Sequence, residues 1–293
     1  MPEIDSVAWR LLCPAKINWD LKVLGRRPDG FHELRSWFAA VAFFDRLELQ
    51  VGAKGFRCQG PQAEGVPLSE SNLVLQAERS WRQAGGEAPS VAWCLRKNIP
   101  AGAGLGGGSS NAAAALHLLQ EVAQRRLAEP RLSEIALQLG SDVPFFLNRG
   151  GGQWRGGRGE VVLAEAALPE TWIVLLLPPV SLSTPKVFQA LQADPWDGLA
   201  PPPPPWPRNP GPNDLQRAAY RLQPDLAAAA EDWARFGDLH MSGSGAAHFL
   251  VCPDQASAQR TAASLQTAFA DLQVEAVPLL PKWPQPIQGA ATP

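Results

Sequence analysis

Strand-forming side chains crowd the start of the chain. The run VAWRLLCPAKINWDLKVLGRRPDGFHELRSWFAAVAFFDRLELQV (7–51) predicts extended structure broken by a turn at Pro28-Asp29-Gly30. SVAWCLRKNIP (90–100) predicts another strand. The rhythm then turns helical. In SNAAAALHLLQEVAQRRL (110–127) apolar residues recur three and four apart, with Arg125 and Arg126 in the expected last turn. RLSEIALQLGSDVPFFL (131–147) predicts a second helix, with Ser133 as N-cap and Gly140 just past its end. TWIVLLLPP (171–179) and GAAHFLVCP (245–253) read as buried strands. PKVFQALQ (185–192), LAAAAEDWARFG (226–237) and DQASAQRTAASLQTAFA (254–270) read as helices.

Strands and helices alternate in both halves, so the class is mixed α and β. Residues 150–159 form a glycine-rich turn region, and the domain boundary is placed there. One domain spans 1–158, a second spans 159–281, and 282–293 are expected to form a flexible tail. The segment APPPPPWPRNPGP (200–212) predicts an extended spacer.

Composition narrows the function classes. Of 293 residues, 45% are hydrophobic and 18% charged, enough apolar material for a sizeable core. The net charge of −2, with no long run of one sign, argues against nucleic-acid binding but leaves room for a local anion pocket. Cys13, Cys58, Cys94 and Cys252 are scattered, with no histidine at metal spacing, which argues against zinc. The N-terminus has no long apolar core of the secretory kind. The longest apolar run, WIVLLLPPV (172–180), is too short to span a bilayer. The expectation is a soluble cytoplasmic protein, monomer or homodimer, that binds a small molecule and neither nucleic acid nor membrane.

The chemistry starts at IPAGAGLGGGSSNAAAAL (99–116). Bare glycine backbone running into a helix start offers N–H groups and a partial positive charge to an anion. A Walker A loop would need lysine after Gly108, where Ser109 stands. A dinucleotide GxGxxG is matched by Gly102, Gly104 and Gly107, but the later acid, Glu121, falls inside the same helix instead of ending the next strand. What remains is Pro100, then Gly104-Leu105-Gly106, then Gly107, Gly108, Ser109 and Ser110. This resembles the phosphate loop of the GHMP kinases. Two further motifs of that family are present: CPAKINWDLKVLGRRPDGFHEL (13–34) and MSGSGAAHF (241–249). LGSDVPFF (139–146) supplies an acid between them.

The resemblance, which spans Pro14 to about Val277, implies a two-domain α+β fold. Its N-terminal half would be ribosomal protein S5 domain 2-like and its C-terminal half ferredoxin-like, with the active site in the cleft between them. It implies ATP as phosphate donor, with Mg²⁺, and an alcohol as acceptor. Lys16 and Asp142 would be catalytic, the carboxylate orienting and accepting the hydroxyl proton. ATP would lie along Pro100, Gly102, Gly104, Leu105, Gly106, Gly107, Gly108, Ser109 and Ser110, under Gly243, Ser244 and Gly245, with adenine near Asn72, Leu73 and Lys97. The motif DGFHEL (29–34) looks most like the branch whose acceptor is a polyol linked to cytidine diphosphate. On that reading His32 reads the cytosine, Phe188 stacks on it, and Phe31, Asn18 and Thr184 line the substrate site. Phe31 departs from the tyrosine usual in the family. A ring face survives, and the hydroxyl does not. The resemblance implies no particular metal ligands. Two alternatives stay open: another kinase of the same fold, acting on homoserine, mevalonate or a sugar, and a catalytically silent nucleotide-binding or dinucleotide-binding protein.

Overall fold

A computed structural model describes residues 7–290. Along the chain run β1 (Val7–Asn18), β2 (Lys22–Arg26), β3 (His32–Val51), β4 (Gly55–Gln59), α1 (Leu73–Gln83), β5 (Val91–Arg96), α2 (Gly107–Val122), α3 (Glu129–Leu139) and α4 (Val143–Leu147). There follow β6 (Gly152–Gly156), β7 (Val161–Ala166), β8 (Trp172–Leu177), α5 (Thr184–Ala190), α6 (Gln216–Leu222), α7 (Pro224–Trp233), β9 (Leu239–Met241), β10 (His248–Cys252), α8 (Gln255–Ala268), β11 (Gln273–Pro278) and β12 (Ile287–Ala290).

Two sheets organise these elements. The first runs β12-β1-β3-β5-β4, with β2 and β6 also on the long strand β3, and β7 on β6. The second is β11-β8-β10-β9, paired antiparallel throughout. α2 explains how the first layer closes. Ala112 to Leu116, Leu118 and Leu119 are all buried, so the helix is apolar nearly all round and must sit inside its layer. Its four consecutive alanines let α1, α4 and β1 pack closely against it. In the second layer the all-apolar β8 lies mid-sheet between β11 and β10, where both its faces are covered.

The structure differs from the sequence-based expectation at several places. β7 pairs with β6, so the first sheet continues past residue 158 and the change of layer falls between Ala166 and Trp172. The expected flexible tail is anchored. β12 adds antiparallel to the edge of β1, and Trp283 is buried, donating its indole N–H to the Leu12 carbonyl and meeting His117 and Phe146 edge-on. Residues 291–293 of that tail lie outside the described residues. The proline-rich segment is no free spacer either. Trp206 packs on Trp19 and Trp37 at 5.2 Å from each, and the Trp19 indole donates to Pro207 O. α2 stops at Val122, before Arg125 and Arg126, because Ala123 is already extended. α3 starts at Glu129 with Pro130 in its first turn, which puts Ser133 inside the helix, while Gly140 ends it as expected.

Candidate active site

The glycine loop connects β5 to α2 and is held from both layers. Lys16 N donates to Leu105 O (2.9 Å), Ala247 N to Ala103 O (3.1 Å) and Ser242 Oγ to Gly104 O (3.1 Å). Gly104 has φ of +76°, and a β-carbon there would lie 2.2 Å from Ser242 O. Backbone therefore touches backbone, and only glycine fits. The loop feeds α2 through Gly106. No side chain caps the helix, so its first-turn N–H groups face the cleft without a protein acceptor from a capping residue.

Beneath the loop lies a buried ionic cluster that no sequence motif announces. Asp45 on β3 is wholly buried. One carboxylate oxygen accepts from Lys97 Nζ (2.5 Å) and Asn111 Nδ2 (3.0 Å), the other from the backbone N–H of Asn98 (2.7 Å) and Ile99 (2.9 Å). Four donors on one carboxylate tie β3, the end of β5, the start of the loop and α2 together. The sequence signal was faint: one aspartate in a run of strand formers, a position that rarely carries a buried charge unless partners converge on it.

Lys16 and Asp142 meet at the cleft. Lys16 Nζ is 3.5 Å from Asp142 Oδ2 and donates to Asn18 Oδ1 (2.7 Å), while Asn18 donates on to Ser36 Oγ (2.8 Å). The ammonium also stands 4.9 Å over the Phe38 ring. Asp142 precedes α4 but makes no capping bond, so its carboxylate stays available to the cleft. Arg155 lies nearby, fully buried. Its donors go to Gly159 O, Glu160 O and Gln153 Oε1, so it braces its own turn. Burial lowers its guanidinium to about 10, against the pull of Asp142, Glu160 and Glu165.

The opposite wall is built of rings. His32 stacks on Phe188 at 5.2 Å and 27°. Partial burial, and then the Arg26 charge, hold the His32 imidazole below its ordinary range, so the ring is neutral near pH 7 and presents one donor and one acceptor. Phe31 is half exposed. Thr184 Oγ1 and Ser244 Oγ share a hydrogen bond of 2.7 Å, joining α5 to the turn 242–245.

These walls enclose a cleft of about 850 Å³. Of the residues expected in the site, Lys16, Asn18, Phe31, His32, Leu73, Pro100, Gly102, Gly104 to Ser109, Asp142, Thr184, Phe188, Gly243 and Ser244 line it together. Four do not. Asn72 spends its carboxamide capping α1 and bonding Pro67 O, and Lys97 is buried against Asp45. Ser110 is buried in the first turn of α2, its hydroxyl without a partner, and Gly245 packs against Leu182 and Met241 behind the turn. Arg26, Arg155 and Arg158 line the cleft unforeseen. With Lys16 they set four cationic side chains against one carboxylate, Asp142, in a chain whose net charge is slightly negative.

A loop-to-helix anion cradle beside a lysine–aspartate pair, in a cleft rich in cations, defines a small-molecule kinase of the GHMP class. Residues 72–150 match the family model described as GHMP kinases N terminal domain. The chain is 35% identical over 258 residues to the 4-diphosphocytidyl-2-C-methyl-D-erythritol kinase of Pseudomonas syringae pv. syringae, covering 87% of this chain and 89% of that protein. The crystal structure of a 4-(cytidine 5'-diphospho)-2C-methyl-D-erythritol kinase superposes with a TM-score of 0.75 at 34% identity, over 92% of this chain and 98% of that one. The homoserine kinase of Cytophaga hutchinsonii shares the fold alone, with a TM-score of 0.60 at 15% identity over 98% of each chain. The chain belongs to the 4-diphosphocytidyl-2-C-methyl-D-erythritol kinase family. Among the described residues, no helix is long and apolar enough to cross a membrane.

Proposed function

We propose that the protein transfers the γ-phosphate of ATP to the 2-hydroxyl of 4-diphosphocytidyl-2-C-methyl-D-erythritol, giving the 2-phosphate and ADP, in the methylerythritol phosphate route to isoprenoid precursors. The observation that carries this is one shared cleft. It holds the uncapped start of α2, the Lys16–Asp142 pair and the His32–Phe188 stack.

Phosphoryl transfer passes through a loose in-line transition state, so positioning and charge stabilisation dominate. The backbone N–H groups of the loop and of the first turn of α2 take the triphosphate oxygens. Lys16, steered by Asn18, offsets charge on the transferring group. Asp142 orients the acceptor hydroxyl and takes its proton as the oxygen–phosphorus bond forms. Neutral His32 reads the cytosine edge, and Phe188 supplies a ring face. An Mg²⁺ ion bound with the triphosphate would neutralise part of its charge. The cleft offers one carboxylate, and among the described residues no group of three His, Cys, Asp or Glu side chains is placed to cage an ion. That donor set suits an ion held chiefly by phosphate oxygens and water. Four free thiols accord with a reaction carried out in the cytoplasm.

A coupled assay of ADP release across the cytidyl substrate, homoserine and mevalonate tests the reading. Turnover with the cytidyl substrate alone is expected. Turnover confined to homoserine or mevalonate, or none with any of the three, overturns it.

A further inference from the structure

Three arginines, Arg26, Arg155 and Arg158, line the cleft, none with a task in the phosphoryl transfer. Arg158 sits in the turn between β6 and β7, its side chain one-third exposed. It lines the cleft, and its guanidinium lies 4.5 Å over the Phe31 ring. Two carboxylates stand near it. Glu160 holds one oxygen 3.9 Å from Arg158 Nε and accepts the Arg158 backbone N–H with the other, while Asp29 is engaged by Arg27 at 2.9 Å. Among the described residues, no hydrogen bond uses either terminal nitrogen of Arg158. Arg155, three residues earlier, differs in kind, because each of its three nitrogens already donates to a residue within 153–160.

We propose that Arg158 binds the diphosphate of the acceptor and that Phe31 is the platform holding the guanidinium in place. This rests on the reading of the acceptor as a cytidine diphosphate ester. Three observations converge. Phe31 adjoins His32, so an anion over Phe31 lies next to the base-reading ring. A guanidinium fork matches phosphate oxygens bidentately, and a ring beneath it limits the orientations lost on binding. Finally, Arg26 stands opposite His32 in the β2–β3 register and also lines the cleft, so the acceptor end carries two arginines. Phe31 thereby gains a role that needs no hydroxyl: one face of its ring carries the Arg158 guanidinium.

Calorimetric titration of the full chain, with a non-hydrolysable ATP analogue filling the donor site, compares cytidine with CDP. Wild type is expected to bind CDP more tightly than cytidine. Arg158→Ala is expected to weaken CDP by about 10- to 100-fold, the range for a charge-assisted phosphate contact, while cytidine changes less than about twofold. Arg158→Lys should restore part of the loss as a point charge. Equal loss of cytidine and CDP in Arg158→Ala overturns the proposal, as does undiminished CDP binding. Equal affinity of wild type for both ligands overturns it too. Wild type binding neither ligand instead overturns the cytidyl reading of the site, and the diphosphate assignment falls with it.

Discussion

The two walls of the cleft are built on different principles. The donor wall is backbone held by buried charge: the loop is hydrogen-bonded to β1 and to the turn 242–245, and Asp45 anchors its base. The acceptor wall is side chains held by ring contacts, with Phe31 half exposed and His32 resting on Phe188. On the proposed function the triphosphate is the same whatever the acceptor, and a rigid backbone cradle would serve it. An acceptor that differs between kinases is better met by side chains, which can be exchanged without disturbing the fold.

The largest expected effect sits where the walls meet. Asp142→Asn should lower kcat by roughly 10²–10⁴ with ATP affinity little changed, measured by steady-state kinetics and nucleotide titration. A wild-type rate would remove the carboxylate from the mechanism. Next comes the anchor of the donor wall. Asp45→Ala strips the partner from buried Lys97 and should cost about 3–5 kcal/mol in urea unfolding, because an uncompensated buried charge is left behind.

The same substitution made on each wall tests the contrast directly. Gly104→Ala combines a left-handed backbone with a backbone clash and should cost about 2–5 kcal/mol and weaken ATP binding. Gly30→Ala, at φ of +86° with open space around it, should cost only about 1–2 kcal/mol and leave ATP binding alone. Similar costs at the two sites would erase the distinction.

Two buried histidines set an acid limit on both halves. Burial pushes His248 in β10 down to about 4 and His117 in α2 down to about 3, from an ordinary 6.5. His248 Nδ1 faces Ala246 O at 2.9 Å, and Nε2 faces the Tyr220 hydroxyl at 2.8 Å, which fits a neutral ring donating from Nδ1. Between pH 6.5 and 4 the unfolded chain binds more protons than the folded one. The stability due to His248 is therefore whole above pH 6.5, and roughly 3 kcal/mol of it is lost as pH falls to 4, levelling off below. Urea midpoints between pH 7 and pH 4 check this, and a flat profile contradicts it. The smallest effect belongs to the exposed wall. His32→Ala should raise KM for the cytidyl substrate by about 10-fold, the worth of one lost hydrogen bond with ring contact, and leave KM for ATP unchanged.

The asymmetry of the walls also governs what could be read in advance. The donor loop was legible because its geometry needs glycine and small residues in an order that few other structures require. Lys16, Asp142, His32 and Phe188 were found through motifs and do share the cleft. Arg158 is not legible in the sequence, because an arginine in a glycine-rich turn looks like any solvated residue until Phe31, 127 positions earlier, is brought beneath it. Asn72 and Lys97 were expected near adenine, but their side chains answer to local needs, a helix cap and a buried carboxylate.

By itself the sequence determined the class of the fold, the run of most strands and helices, the glycine loop that opens α2, and the kinase class. Each is encoded within a few neighbouring residues, as hydrophobic period, capping or glycine placement. Only the tertiary structure decided that β7 completes the first sheet, that the C-terminal residues close back on β1 through Trp283, that Asp45 is the anchor of the loop, and which arginines line the cleft. Those outcomes depend on which distant segments bury each other's apolar surface and satisfy each other's charges, and no stretch of neighbouring residues contains that information.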